Sequence, residues 1–177
     1  MNDLRYPIGR FEAPKTTLTE AQRAGLITQI EEAPGALRAA LAGLSPAQLD
    51  TPYRPGGWTA RQVAHHVPDS HLNAYVRFRL ALTEDEPTIR PYDETLWADL
   101  HEAKSAPPEL SLDLLEALHR RWVVLLRQIT PAEWPRRFKH PEHSGIQDLD
   151  WMLVMYAWHG RHHTAHVASL RRRMGWA

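Results

Sequence analysis

Cysteine is absent from the 177-residue sequence. Its absence excludes a disulfide scaffold, a thiolate metal site, an iron–sulfur cluster and a cysteine nucleophile. A surplus of either charge is also missing, because 21 Lys and Arg residues stand against 21 Asp and Glu residues. Proteins that bind nucleic-acid backbones carry a surplus of Lys and Arg. We therefore expect no nucleic-acid partner.

Long apolar runs are missing as well. Residues 1–5 carry no apolar stretch of the kind found in signal peptides. No segment of the sequence approaches the roughly 20 apolar residues that a membrane-spanning helix needs. We therefore expect a cytoplasmic protein with no membrane partner. The length is typical of one domain, which we expect to span residues 1–177.

Helix-start signals are frequent in the sequence. Four segments match the capping box, in which a hydroxyl side chain and a Glu or Gln three residues later bond to the free N–H groups of a new helix. These segments are Thr19–Gln22, Ser45–Gln48, Thr59–Gln62 and Thr130–Glu133. Four such matches predict an all-α protein, and no alternation typical of β-strands stands out.

Apolar spacing predicts four long helices. Apolar residues recur three and four positions apart over about residues 26–44, 59–83, 111–129 and 148–174. Pro34 is expected to kink or split the first helix, and Pro68 lies inside the second. The predicted architecture is a four-helix bundle with short extra helices in the Pro-rich connections, which are residues 50–58, 84–110 and 135–147.

Histidine is frequent, with 11 residues, and four of them lie close together in the predicted last helix. They are His159, His162, His163 and His166. Imidazoles four positions apart lie one turn apart on the same face of a helix, so a pair can reach one metal ion. The same face carries apolar residues, which turns it toward the bundle interior. A buried neutral imidazole needs a partner, and a cation is one way to supply it.

The second helix carries a matching polar stripe. Ser70, Asn73 and Arg77 fall within about 40° of His66 on a helical wheel, between two apolar flanks. A solvated face would be polar over a broader arc. The stripe therefore predicts polar groups that point into the bundle.

The two helices together predict a metal site. His66, His159 and His163 would supply three nitrogen ligands and leave one position open, which is the pattern of catalytic zinc sites. Sites built from imidazole without thiolate also suit nickel or copper. We expect one divalent metal ion per chain, Zn²⁺ or Ni²⁺. Four further residues remain as alternative ligands, namely His162, His166, Asp69 and Glu102.

The remaining histidines are predicted to lie outside the site. His65 and His71 point away from the polar stripe, and we expect both to have packing roles. His140 and His143 share a Pro-containing loop and are expected to be exposed to solvent. His119 stands alone in the third helix.

Longer strings of residues carry a resemblance to a known family. They are Tyr6–Phe11, Asp50–Thr59, Arg61–His66, Asp69–His71, Leu82–Glu84, Ile89–Tyr92, Trp158–His166 and Arg173–Trp176. Through these strings the sequence, over nearly its whole length, resembles the DinB/YfiT-like superfamily and specifically its YfiT branch.

The resemblance implies a four-helix bundle in which three histidines hold one divalent metal ion. By motif these are His66, the second residue of the His-His pair, together with His159 and His163. It also implies a homodimer and an enzyme, either a metal-dependent hydrolase or an S-transferase that uses a small thiol such as bacillithiol or mycothiol. Pro68 departs from the family pattern, and by bending the helix it would shift the approach of His66.

Three functions are compatible with such a site. A cation with an open position ionises a bound thiol or water at neutral pH, so that group would act in catalysis without an assigned protein base. Asp69 is poorly aimed as a base, whereas Asn73 and Arg77 are suited to bind an anionic substrate such as the carboxylate of a thiol. These features favour transfer of a small-molecule thiol to an electrophile. Hydrolysis by activated water is the alternative. A non-catalytic metal-binding bundle, closed by His162 or His166, is the second alternative.

Overall fold

Four long helices form the body of the protein in the computed structural model, which describes residues 3–142 and 145–176. Short helices and a two-stranded hairpin occupy the connections. In chain order the elements are α1 (Glu20–Leu41), α2 (Pro46–Leu49), α3 (Ala60–Thr83), α4 (Glu94–Ala98), α5 (His101–Ser105), α6 (Pro108–Gln128), β1 (Arg137–Lys139), β2 (Ile146–Asp148) and α7 (Leu149–Met174). The predicted four-helix bundle is confirmed.

Three of the four predicted capping boxes begin helices. Thr19, Ser45 and Thr59 cap α1, α2 and α3, each in a reciprocal pair with a glutamine three residues later. The fourth prediction is wrong. The Glu133 carboxylate accepts hydrogen bonds from the backbone and hydroxyl of Thr130, but residues 131–135 form only turns. Pro135 follows at once and lacks an N–H, so a helix cannot continue there.

Neither internal proline splits its helix. Pro34 and Pro68 are both buried within α1 and α3, and each helix continues through its proline. Without an N–H, Pro34 leaves the carbonyl of Ile30 without its usual helical partner. The Nδ1 of His119, on α6, lies 2.6 Å from that carbonyl oxygen and replaces the lost bond. A neighbouring helix thus supplies the hydrogen bond that the proline removed.

Helices that follow one another along the chain do not all pack side by side. α1 packs against α6 and α7, and α3 packs against the same two helices. α1 and α3 therefore lie at diagonally opposite corners of the bundle, as do α6 and α7. This arrangement brings α3 alongside α7, the two helices that carry the predicted metal ligands.

A short hairpin is the one element type that the sequence did not predict. β1 pairs with β2 in antiparallel register, with Arg137 opposite Asp148 and Lys139 opposite Ile146. Thr88 forms a bridge to Lys139, so the hairpin also holds the connection that follows α3. Strands of three residues are too short to show an alternating pattern.

The segment before α1 lies along α7 and forms part of the wall of a cleft. The backbone N–H of Leu18 donates to Asp150 over 3.0 Å, and Arg23 makes two bonds of 2.7 and 2.9 Å to the same buried carboxylate. Farther along α7, the Nε2 of His166 lies 3.2 Å from the carbonyl oxygen of Arg5. These bonds fix the segment beside the histidines of α7.

The apolar core consists of two clusters with polar residues between them. Phe78 and Trp122 belong to one cluster, and Leu37 and Leu115 belong to the other. Burial of each such side chain stabilises the fold by about 1.5–3 kcal/mol. Between the clusters lies a histidine layer, which consists of His66, His71, His119, His159 and His163. Since apolar packing holds the helices on both sides, the layer is fixed in place by its surroundings.

Within the part of the chain that the structure describes, no helix combines the length and hydropathy needed to cross a membrane.

Candidate metal centre

Three imidazoles meet at the junction of α3 and α7. His66 comes from α3, and His159 and His163 come from successive turns of α7. One ring nitrogen from each residue can be chosen so that all three lie within 4.8 Å of one another. The Nε2 atoms of His66 and His159 are 3.3 Å apart. The structure therefore brings together the three residues predicted as ligands, which we call the three-His group.

The three-His group is uncharged at neutral pH. Burial, with smaller contributions from the nearby His162 and His166, lowers the pKa of His66 to about 3. Burial also holds the pKa values of His159 and His163 well below their usual range. Neutral imidazoles keep a lone pair free for a cation, and nitrogen donors of this kind suit zinc and its neighbours in the periodic table. The Nδ1 of His163 is buried without a hydrogen-bond partner among the described residues. This donor set fits a divalent metal ion.

The alternative histidine ligands lie beside the group but have other partners. The ring of His162 stacks on Trp158, with centroids 4.2 Å apart. His166 stacks on Tyr53 at 4.0 Å, and its Nε2 is engaged by the carbonyl of Arg5. Within residues 3–142 and 145–176, neither imidazole joins the three-His group.

The two acidic alternatives also lie elsewhere. Asp69 is half-buried, and burial raises the pKa of its carboxyl to about 6, with a smaller contribution from Glu102. Among the described residues, no carboxylate belongs to the three-His group. The group is therefore built from nitrogen alone.

The three-His group opens into a cleft of about 620 Å³. Arg77 lines this cleft, with one guanidinium nitrogen 3.4 Å from the hydroxyl of Tyr156 and another 3.3 Å from the carbonyl of Arg90. Asn73 is not part of the lining, because its amide donates to the carbonyl of Asp69 within α3 over 2.9 Å. Of the two residues predicted to bind substrate, the structure places only Arg77 in the cleft.

Known proteins resemble this chain in both sequence and fold. Residues 29–167 match the family model of the DinB superfamily. The chain belongs to the DinB superfamily. A Bacillus mycoides protein named as a candidate metal-dependent hydrolase is 53% identical over 176 residues, which cover 99% of this chain and 100% of the relative.

The YfiT branch of the DinB superfamily is also represented among the relatives. YfiT of Bacillus subtilis, named in the same way, is 48% identical over 175 residues, which cover 99% of this chain and 98% of YfiT. The solved structure of YfiT is described as a probable metal-dependent hydrolase with an unusual four-helix bundle topology. It matches this chain with a TM-score of 0.96, covering 98% of this chain and 99% of the YfiT chain. The predicted family and fold are confirmed.

Two histidines of this DinB-superfamily protein have roles that the sequence did not predict. His71 was expected only to pack, yet its Nε2 lies 3.0 Å from the Nδ1 of His159. His119 was expected to stand alone, yet its Nε2 lies 2.8 Å from the Nδ1 of His71. Each occupies an apolar helix face, which resembles ordinary core packing. The two imidazoles meet because α3 packs against α6, and the sequence alone does not show that packing.

The other histidines are placed as follows. His65 lies 2.7 Å from the hydroxyl of Ser111 and 3.2 Å from the carbonyl of Ala106, so it joins α3 to the start of α6. His140 is half-buried at the edge of the cleft, whereas the sequence predicted exposure to solvent. The backbone N–H of Glu142 lies 3.2 Å from Nδ1 of His140, so the loop turns back on itself there. His143 lies outside the described residues.

Gly160 allows α1 and α7 to approach closely beside the histidine layer. A Cβ at this position would lie 3.1 Å from the Cβ of Ala33 and 3.5 Å from the Cε1 of His71. We expect the Gly160→Ala variant to lose about 1 kcal/mol of unfolding free energy, because overpacking costs more than the gain in helix propensity. Urea denaturation of the metal-free protein measures the change.

Gly25→Ala provides the matched control. Gly25 lies in α1 and is exposed, and a Cβ added there would have no described atom within 4 Å. This substitution is expected to stabilise the protein by up to about 1 kcal/mol through helix propensity alone. Equal stability of the two alanine variants would contradict the proposed close packing at Gly160.

Proposed function

We propose that this protein is a metal-dependent enzyme that transfers a small thiol, of the bacillithiol or mycothiol kind, to an electrophilic carbon. The observation that carries the proposal is the largely buried, uncharged three-His group at the base of an open cleft. His66, His159 and His163 would hold one divalent ion, Zn²⁺ or Ni²⁺. When bound, such an ion lowers the pKa of a thiol or water so that it is ionised at neutral pH.

The cleft has no carboxylate beside the three-His group among the described residues, which favours a thiol over water as the nucleophile. Hydrolysis usually also needs a positioned general base. Glu94 and Glu142 are the carboxylates that line the cleft among the described residues, and both are exposed to solvent. Neither belongs to the three-His group. An ionised thiol needs no such base, so the donor set is sufficient for thiol transfer.

Two guanidinium groups of the cleft support an anionic substrate. Arg54 and Arg77 both line it. A guanidinium group binds a carboxylate through charge-assisted hydrogen bonds, so both residues are suited to an anionic substrate. A small thiol that carries a free carboxylate, as bacillithiol does, could accept these bonds. We assign Arg54 and Arg77 to substrate binding.

Aromatic side chains provide a place for the electrophile. Tyr6, Tyr53, Trp58 and Trp158 line the cleft around the three-His group. Their ring faces suit the apolar body of a small molecule. In the overall reaction the thiol loses its proton to solvent, sulfur forms a bond to carbon, and the leaving group departs with the electron pair of the bond that breaks.

Hydrolysis by activated water is the second candidate. The names of the Bacillus mycoides relative and of YfiT favour it, since both describe metal-dependent hydrolases. The non-catalytic alternative required a fourth protein ligand, and among the described residues neither His162 nor His166 belongs to the three-His group. The homodimer and the cytoplasmic location stay predictions.

Product analysis with the metal-loaded protein distinguishes the two reactions. We expect metal-dependent conjugation of monochlorobimane with a cysteine-derived thiol, with release of one chloride per thioether formed. The same preparation is tested on ester and amide substrates without thiol. Hydrolysis of those substrates, with no thiol conjugation, would replace thiol transfer by hydrolysis. A metal-loaded protein without either activity would support the non-catalytic alternative.

A further inference from the structure

Four close contacts connect the three-His group to a backbone carbonyl on the other side of the bundle. The carbonyl oxygen of Ile30 lies 2.6 Å from Nδ1 of His119. Nε2 of His119 lies 2.8 Å from Nδ1 of His71. Nε2 of His71 lies 3.0 Å from Nδ1 of His159. Nε2 of His159 then faces Nε2 of His66 at 3.3 Å. We call His119, His71 and His159 the histidine row.

The carbonyl at one end sets the direction of every hydrogen bond in the row. A carbonyl only accepts, so Nδ1 of His119 must carry the proton. A neutral imidazole has one donor and one acceptor, so Nε2 of His119 accepts from Nδ1–H of His71. Nε2 of His71 accepts in turn from Nδ1–H of His159. The remaining nitrogen, Nε2 of His159, is left with its lone pair directed toward the three-His group.

The sequence explains why this carbonyl is available. Ile30 precedes Pro34 by four residues, and proline has no N–H to donate to it. His119 and His71 are 1% and 0% exposed, so water does not compete for these bonds. A proline in the middle of α1, which looked like a helix breaker, thereby provides the acceptor that orients the row.

We infer that His71 and His119 are positioning residues, which hold His159 as the Nδ1–H tautomer and aim its Nε2 at the metal position. The inference rests on the proposed metal site for its purpose, but the tautomers are a property of the metal-free protein. A ligating histidine whose other nitrogen is fixed by a hydrogen bond binds metal more tightly, because its ring is already oriented. Here His71 provides that bond to His159, and His119 in turn orients His71.

Nitrogen NMR of histidine-labelled, metal-free protein at neutral pH tests the inference directly. We expect His71, His119 and His159 to be Nδ1–H tautomers. His65 and His166 serve as internal controls, since each places its Nε2 against a carbonyl oxygen and is expected to be the Nε2–H tautomer. If His71 or His119 is the Nε2–H tautomer, the inference is overturned, whatever the protein does with metals.

Metal affinity tests the purpose of the row. We expect His71→Phe to weaken binding of Zn²⁺ by about 10–100-fold in a chelator competition, the range typical for lost outer-shell partners. His65→Phe is the matched control, because it also removes a buried, hydrogen-bonded imidazole from α3 but lies outside the row. This control should leave the affinity for Zn²⁺ unchanged.

Substitutions of His119 test whether its hydrogen bonds or its volume matter. His119→Phe keeps a ring but removes both nitrogens, and we expect it to weaken Zn²⁺ binding and to release His71 from the Nδ1–H tautomer. His119→Gln retains a donor and an acceptor, and we expect it to restore most of the affinity. Equal affinities for the two variants would show that His119 only fills space. Expected tautomers in a wild-type protein that binds no metal would refute the metal site and leave the row in place.

Discussion

We expect the His163→Ala variant to lose its divalent metal while its helical circular dichroism stays close to that of the wild type. The wild-type protein should carry about one ion per chain by elemental analysis. Binding free energies of structural zinc sites, about 10–16 kcal/mol over four ligands, give about 3 kcal/mol or more per ligand. Loss of one of three ligands therefore lowers metal affinity by at least about 100-fold.

The fold should survive because His163 lies between the two apolar clusters and belongs to neither. Its Nδ1 has no hydrogen-bond partner among the described residues, so alanine leaves no such bond broken there. His162→Ala is the matched control, since His162 is the adjacent residue of α7 and lies outside the three-His group. His162→Ala should keep its metal. Unfolding of His163→Ala along with metal loss would instead indicate a structural site.

We also expect the metal-free protein to lose most of its stability between pH 7 and pH 5. Burial lowers the pKa of His119 to about 4, and the pKa of His66 to about 3. It holds the pKa values of His71, His159 and His163 well below their usual range. In the unfolded chain these imidazoles have pKa values of about 6.5. Below that pH the unfolded state binds more protons than the folded state, so stability falls as the pH falls.

The expected size of the effect follows from the same pKa values. His66 and His119, whose pKa values in the folded state are about 3 and about 4, each oppose folding by about 2 kcal/mol at pH 5. His71, His159 and His163 oppose it in the same direction, and a typical domain is stable by only about 5–15 kcal/mol. Urea denaturation at pH 8, 7, 6 and 5 measures this loss. The His119→Gln variant has one titrating group fewer. The slope of its unfolding free energy against pH should therefore be smaller than that of the wild type by about 1.4 kcal/mol per pH unit. Constant stability from pH 7 to pH 5 would refute the prediction.

Periodicity predicted the residues that share one helix face but not their partners on other helices. His159 and His163 were found because they lie four apart, and His66 because it lies on a narrow polar stripe between apolar flanks. His71 and His119 are separated by 48 residues and meet only because α3 packs against α6. A helical wheel gives the direction of a side chain, but it gives neither the neighbouring helix nor the height of contact.

The continuity of α1 and the missing helix after Thr130 have the same origin. Pro34 was expected to kink or split α1 because the local sequence offers no replacement for the missing bond, yet α1 continues through it. The replacement comes from His119, which is 89 residues away from Ile30. At Thr130 the local capping signal is present, but Pro135 and the hairpin that begins at Arg137 leave no room for a helix. The capping signal at Thr130 therefore predicts the first turn correctly but not a helix.

The three-His group draws its ligands from distant parts of the chain, since His66 and His159 are 93 residues apart. A denatured polypeptide offers a cation only histidines that are neighbours in sequence, such as those of residues 159–166, and closing so long a loop to add His66 is entropically costly. Metal ions therefore bind the native state far better than the denatured ensemble, and mass action converts that preference into resistance to heat. The midpoint of thermal melting should rise with the logarithm of free Zn²⁺ concentration, which makes calorimetry a measure of metal affinity that requires no substrate.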